Sequence, residues 1–148
     1  MDHRNRQRRL ALLARAQLTR LHACWHQFDD QPVVTRLRGP ETGLAMIRGR
    51  IDARGGRFNL GEVTVARASV RLDDGTVGHG YVLGRSLEHA EWIAVYDAMA
   101  QHARFADTIE TQLLEPTERA VAAAREKIRR RAGATRCRFD TLVREAAP

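Results

Sequence analysis

The sequence has few of the residues that build disulfide-linked, metal-stabilised or membrane-spanning proteins. Its 148 residues include two cysteines, Cys24 and Cys137, which are too far apart in the chain for a CxxC metal motif. No apolar run approaches the about 20 residues that a membrane span needs. The arginine-rich start lacks the small-residue cleavage site of a secretory signal. With 43% apolar and 29% charged residues, the composition is that of a globular domain. We therefore expect one domain in the cytoplasm, with no membrane contact.

Aromatic residues are also scarce, at 5% of the chain, and this bears on nucleic-acid binding. The net charge of +7 is concentrated at the ends, because residues 1–20 hold six Arg against one Asp and residues 119–148 hold nine Arg or Lys against three acids. Such ends suit a polyanion or an acidic protein partner. Binding of single strands, however, needs aromatic side chains among the basic ones. A stand-alone basic nucleic-acid binding protein is therefore kept only as the alternative function.

The spacing of apolar residues divides the chain into helical ends and a β-rich middle. Residues 4–28 repeat apolar side chains at intervals of three and four, which predicts one long helix. Its apolar stripe could pack on its own domain or on another chain, and we expect it largely in a subunit interface, in a homodimer or against a sibling. Alternating residues punctuated by glycine predict an antiparallel meander of about four strands at residues 33–38, 42–51, 58–72 and 76–83. Further helices are predicted at residues 86–103, 107–114 and 117–131, followed by a C-terminal arm at residues 135–148. The predicted fold class is α+β, a sheet with helices packed on it and projecting terminal segments.

The dipeptide at residues 74–75, Asp-Gly, is a signal for a two-residue type I′ turn, and counting outward from it predicts the register of the last two strands. In that register Arg71 lies opposite Gly78, and Gly80 lies on the same face. Arg67 and Arg71 would then stand over a strip of bare backbone that a ligand or a foreign chain could approach closely. We therefore expect these arginines to clasp a phosphate or a carboxylate.

The histidines do not complete a catalytic set. His89 and Glu91 match the His-x-Glu half of a zinc deaminase signature, but no Pro-Cys-x-x-Cys follows, so we expect no metal. At i and i+2 on a helix they point in different directions, which favours a structural role for each. The predicted register places His79 opposite Val70 on the apolar face, as a hydrogen-bonded core residue. A hydrolase built around His79 or His89 is a further alternative.

Several segments together resemble a known family. They are RGPETGL at 38–44, GEVTVAR at 61–67, VRLDDGT at 70–76, GR at 84–85, HAE at 89–91 and, more loosely, RCRFDTLVR at 136–144. In order and spacing they are similar to PhnG, a subunit of the bacterial phosphonate carbon–phosphorus lyase system. The resemblance is close over residues 38–99 and weakest over the basic helix at 117–131.

The resemblance implies a subunit of alpha-D-ribose 1-methylphosphonate 5-triphosphate synthase. In that family ATP and methylphosphonate are the substrates of the complex, adenine is displaced from the ribose, and the nucleosidase centre lies in a sibling subunit. The chain is then expected to be inactive alone, to hold no cofactor, and to occur as two copies, a homodimer, beside its siblings within the complex. The candidate anion- or partner-binding residues are Arg67, Arg71, Arg85 and Glu41, and the candidate structural or interface residues are His89, Glu91, Gly78 and Gly80.

Overall fold

The computed structural model describes residues 3–51 and 55–135 of the chain. The helices are α1 (His3–Leu13), α2 (Leu18–Trp25), α3 (Leu87–Met99), α4 (Ala103–Ile109) and α5 (Glu115–Ala134). The strands are β1 (Val34–Arg50), β2 (Arg57–Leu72) and β3 (Val77–Leu83). The fold is α+β, as predicted, and the predicted C-terminal arm lies outside the described residues except for residue 135. None of the helices described is long and apolar enough to cross a membrane.

The sheet is antiparallel and has the order β1-β2-β3, so the described part of the chain contains three strands instead of the predicted four or so. The segments predicted separately at residues 33–38 and 42–51 form the single strand β1. The Gly39-Pro40 pair between them does not make a turn, because register shifts between Arg36 and Glu41 absorb it. β1 lies at the edge of the sheet, where a proline without an N–H group is tolerated.

The turn between β2 and β3 is one residue longer than predicted. The Gly75 amide donates to the Leu72 carbonyl at 3.0 Å, and the Leu72 amide donates to the Thr76 carbonyl at 2.9 Å. Gly75 has φ +90°, so a left-handed glycine follows the turn and the loop has three residues. As a result Arg71 pairs with Val77 and not with Gly78. The predicted register is therefore wrong, and a slip of one residue moves every β3 side chain to the other face.

The slip places the two β3 glycines against helix α3 instead of beneath arginines. A Cβ atom at Gly78 would lie 2.0 Å from the Ala94 carbonyl oxygen, and one at Gly80 would lie 1.9 Å from that of Ala90. The expected strip of bare backbone exists, but this chain's own helix occupies it. The glycines thus allow α3 to pack closely on the sheet.

Helix α3 is buried on more than one side, as its all-round apolar sequence predicts. One side of α3 packs on the sheet, and α1 packs against another side of the helix. The Tyr96 hydroxyl donates to the Leu21 carbonyl at 2.6 Å in this interior. Burial of the Tyr96 hydroxyl away from water raises its pKa above the ordinary value.

The N-terminal segment belongs to the same core, which contradicts the expectation of a subunit interface. The predicted helix at residues 4–28 is broken into α1 and α2, and Leu13 and Leu21 are fully buried. The His89 Nε2 atom donates to the Leu13 carbonyl at 3.0 Å, beside the break. The apolar stripe covers the side of α3 that the three-stranded sheet leaves open, so its partner lies within the chain.

Helices α4 and α5 are joined without a loop by a π-helical turn at Glu110–Leu114. The predicted helices at residues 107–114 and 117–131 are therefore parts of one continuous helical segment. Its buried side chains are Phe105, Ile109, Leu113, Leu114 and Thr117. From residue 122 onward α5 is mostly exposed to solvent.

Candidate functional site

The face of the sheet opposite α3 carries the polar residues that the sequence singled out, and we call it the open face. On β2 the side chains alternate, so the buried Ala66, Ala68 and Val70 face α3 while the residues between them face away. The registers of the strands then place on the open face Arg38, Glu41, Arg67, Ser69, Arg71, His79 and Tyr81.

Glu41 lies between two arginines of the open face. Its Oε1 atom is 2.7 Å from the Nε atom of Arg67 and 2.8 Å from that of Arg38. The hydrogen bond from Arg67, aided by the nearby charge of Arg38, lowers the pKa of Glu41 below its ordinary value. Two of the candidate residues, Arg67 and Glu41, are therefore brought together, but as an ion pair and not as separate ligand-binding groups. The trio of Arg38, Glu41 and Arg67 keeps one net positive charge.

Arg71 and Arg85 have different surroundings. Arg71 lies two residues beyond Ser69 on the open face; it is exposed, and it joins none of the ion pairs formed among the described residues. Arg85 is exposed in the link between β3 and α3, after Gly84, whose φ of +99° reverses the chain there. The structure therefore leaves the Arg71 guanidinium available to an external anion or carboxylate, whereas the Arg67 guanidinium already has a partner.

The slip in register also brings His79 to the open face, so its expected position in the core is wrong. The His79 Nδ1 atom lies 2.9 Å from the Ser69 Oγ atom. A catalytic triad would need a carboxylate to orient the imidazole ring. Asp97 is the near carboxylate, but its Oδ2 atom accepts from the backbone N–H of His79 at 3.0 Å. This pair can hydrogen-bond a ligand, but Asp97 does not orient the ring.

His89 and Glu91 point to different elements, as their spacing predicts. His89 donates to the end of α1, and Glu91 accepts two hydrogen bonds from Arg36 on β1, one of them at 3.0 Å. Each side chain therefore ties α3 to a neighbouring element. Among residues 3–51 and 55–135, no three side chains of the His, Cys, Asp and Glu types come together as a metal site would require.

A cleft between α2, β1 and α3 is a feature that sequence reasoning missed. It encloses about 460 Å³, and its walls include Trp25 and Trp92, whose ring centroids are 5.3 Å apart. On its rim the His22 Nε2 atom lies 2.9 Å from the Glu88 Oε1 atom. The only signal in the sequence was that both tryptophans fall within apolar helical stripes, and that pattern does not reveal that the two stripes meet.

Comparison with known proteins agrees with the resemblance noted in the sequence. The family model described as "Phosphonate metabolism protein PhnG" matches residues 4–145. A protein of Rhizobium meliloti (strain 1021) named "Alpha-D-ribose 1-methylphosphonate 5-triphosphate synthase subunit PhnG" is 46% identical over 135 residues, covering 91% of this chain and 86% of that protein. Since both matches extend over nearly the whole sequence, including the basic helix where the resemblance was weakest, the chain belongs to the PhnG family.

Proposed function

We propose that this chain is a subunit of the synthase that transfers the ribose triphosphate moiety of ATP to methylphosphonate, with release of adenine, in the breakdown of organic phosphonates. The observation that carries the proposal is the 46% identity, over 91% of the chain, to a relative named as a subunit of this synthase. The partners are then sibling subunits, a nucleosidase among them, and the complex works in the cytoplasm. The chain contributes two copies and no cofactor of its own.

The proposed reaction explains why an arginine-rich subunit is useful. It brings a phosphonate beside a triphosphate, and these anions repel each other unless cations lie between them. Arg71, exposed and outside the ion pairs, is suited to that role, and the net positive trio around Glu41 adds to the field of the open face. If a sibling subunit covers this face in the complex, the enclosed arginines raise the effective concentration of methylphosphonate over water at the ribose carbon.

We further propose that the isolated chain is inactive. Among residues 3–51 and 55–135, no carboxylate is hydrogen-bonded to the imidazole ring of the Ser69–His79 pair, so these residues do not form a self-sufficient nucleophile. The nucleosidase sibling contains the catalytic centre, and this chain favours formation of the methylphosphonate adduct over hydrolysis to free ribose triphosphate. The nucleic-acid alternative is not favoured, because Trp25 and Trp92 line the cleft beside α3 and do not alternate with the terminal arginines.

Reconstitution with one subunit omitted tests the proposal. Purified siblings, ATP and methylphosphonate are mixed with or without this chain, and phosphorus NMR follows the ribose methylphosphonate adduct and free ribose triphosphate. We expect the adduct only when this chain is present, and hydrolysis to ribose triphosphate by the nucleosidase alone. Full adduct formation without the chain would refute its role, and turnover of ATP by the chain alone would refute its inactivity.

A further inference from the structure

Strands β1 and β2 continue well beyond the end of β3. β3 pairs with β2 only between Val65 and Arg71, whereas β1 and β2 remain paired as far as Arg50 and Arg57. We call residues 44–50 and 57–64 the ribbon. At about 3.3 Å per residue, its seven β1 residues extend roughly 20 Å past the three-stranded part of the sheet.

The ribbon exposes large apolar side chains. Their exposed fractions are Leu44 64%, Leu60 64%, Met46 53%, Phe58 41% and Ile47 37%. A two-stranded hairpin is marginally stable in water by itself, and clustered exposed apolar residues mark interaction sites. The ribbon is therefore a surface that requires a partner.

Both faces of the ribbon carry exposed apolar side chains. The alternation of β1 places Leu44 and Met46 on the side that α3 covers farther along, and Ile47 and Gly49 on the opposite side. A Cβ atom at Gly49 would lie 3.6 Å from the Phe58 ring, so Phe58 shares the side of Gly49. A strand pair that is apolar on both sides suits a cleft that encloses it better than a flat surface.

The charges of the ribbon determine what kind of cleft would hold it. Its described residues include Arg48, Arg50 and Arg57 against a single acid, Glu62. A second copy of this chain would bring the same arginines and a net charge of +7, so it would be repelled. An acidic rim on a different protein is complementary.

We propose that the ribbon inserts into an apolar cleft with an acidic rim on a sibling subunit, and that this contact holds the chain in the complex. The inference rests on the proposed function, because it takes the partner from the synthase. It assigns the contact to the ribbon and not to the N-terminal helices α1 and α2, whose apolar side chains the chain's own core already uses.

The test removes the apolar character of the ribbon and leaves the core unchanged. The variant Leu44→Ser/Met46→Ser/Leu60→Ser changes three side chains that are each more than half exposed. Its matched control is Ile128→Ser on α5, a position that is 67% exposed. Binding to the purified siblings is titrated and the complexes are weighed by native mass spectrometry. We expect at least tenfold weaker binding for the triple variant, wild-type binding for the control, and unchanged melting temperatures for both.

A second variant, Arg48→Glu/Arg57→Glu, tests the acidic rim without altering any apolar side chain. It should slow association at least tenfold at low salt and reverse the salt dependence of the rate. If the triple variant does not fold, this second variant is the test of whether the ribbon binds the sibling subunit. Association at the wild-type rate would then overturn the proposal.

Other outcomes also overturn the inference. Binding of the folded triple variant within twofold of wild type excludes the ribbon as the contact. Loss of self-association alone, with sibling binding retained, makes a second copy the occupant. The omission experiment separates these results from failure of the proposed function. If the wild-type chain is required for adduct formation but the triple variant replaces it fully, only the ribbon inference fails.

Discussion

Replacement of Gly80 by alanine tests the contact that organises this fold. The added Cβ atom would lie 1.9 Å from the Ala90 carbonyl oxygen and 2.8 Å from the Ala94 amide nitrogen. Both obstacles are backbone atoms of α3, which cannot rotate aside as a flexible side chain does. To reach an ordinary contact distance, α3 must move away from β3 by about 1.5 Å, which separates packed side chains along its length.

The magnitude of the effect follows from this geometry. Overpacking in a core costs about 1–3 kcal/mol, and a clash with helix backbone belongs at the upper end of that range. For a domain of this size, about 3 kcal/mol corresponds to a fall in melting temperature of roughly 6–12 °C. Gly78→Ala should behave in the same way, because its Cβ atom would lie 2.0 Å from the Ala94 carbonyl oxygen.

Chemical denaturation followed by circular dichroism measures the change. Gly39→Ala is the matched control, because it is also a strand glycine and no atom would come within 4 Å of its Cβ. Its free energy of unfolding should stay within about 0.5 kcal/mol of wild type. If Gly80→Ala has the same denaturation midpoint and slope as wild type, the close packing of α3 on β3 is refuted, and with it the register of the hairpin.

Three further changes test other contacts. Asp97→Ala should lower the free energy of unfolding by about 3 kcal/mol in a denaturation titration, because the buried carboxylate accepts two hydrogen bonds from Arg6. This is the lower end of the range for a broken buried ion pair, since the Arg6 side chain is a third exposed. A loss below about 1 kcal/mol would contradict the prediction. Arg67→Gln should raise the pKa of Glu41 toward its ordinary 4.5, as NMR titration of the carboxyl carbon would register. In the wild type, Glu41 stabilises the fold above that ordinary value, and the contribution is lost as the pH falls through the lowered pKa. Deletion of residues 1–28 should leave no folded protein by circular dichroism, and a soluble, cooperatively melting remainder would disprove their place in the core.

The sequence predicted which segments of this fold are helical and which are extended, but it misjudged several boundaries and did not predict the pairing of the last hairpin. The residues Asp73, Asp74 and Gly75 are compatible with both a two-residue and a three-residue loop, because Gly75 suits the positive φ of either one. What distinguishes them is the helix. Small residues at Ala90, Ala94 and Ala98 lie one turn apart on α3 and match the two β3 glycines. This pairing of small residues was visible in the sequence, but it has meaning only once the helix is known to cross that strand.

The contacts of the candidate site also depend on the tertiary arrangement, so the sequence predicted only its residue types. Arg67 and Glu41 are 26 residues apart, and their ion pair depends on the bulges that let β1 accommodate Gly39 and Pro40. Neither periodicity nor turn chemistry determines how many residues a bulge absorbs. The cleft between Trp25 and Trp92 likewise depends on two helices meeting. The sequence identified the residue types that matter, and the tertiary structure decided which of them face one another.

The two edges of the sheet are protected by different means, which bears on how the chain meets its partners. An exposed strand edge invites pairing with another chain, so it has to be covered or charged. At β3 the first part of the edge is covered, because the Gln101 side chain donates to the Val77 carbonyl at 2.9 Å and Asp97 accepts from the His79 amide. At β1 no strand within the described ranges pairs with the outer edge, and arginines recur along it. Like charges disfavour pairing of two β1 edges but attract an acidic surface. The proposed contact of the ribbon with an acidic sibling therefore extends naturally along the β1 edge. There the sibling would meet both exposed apolar side chains and the positive charge of the arginines.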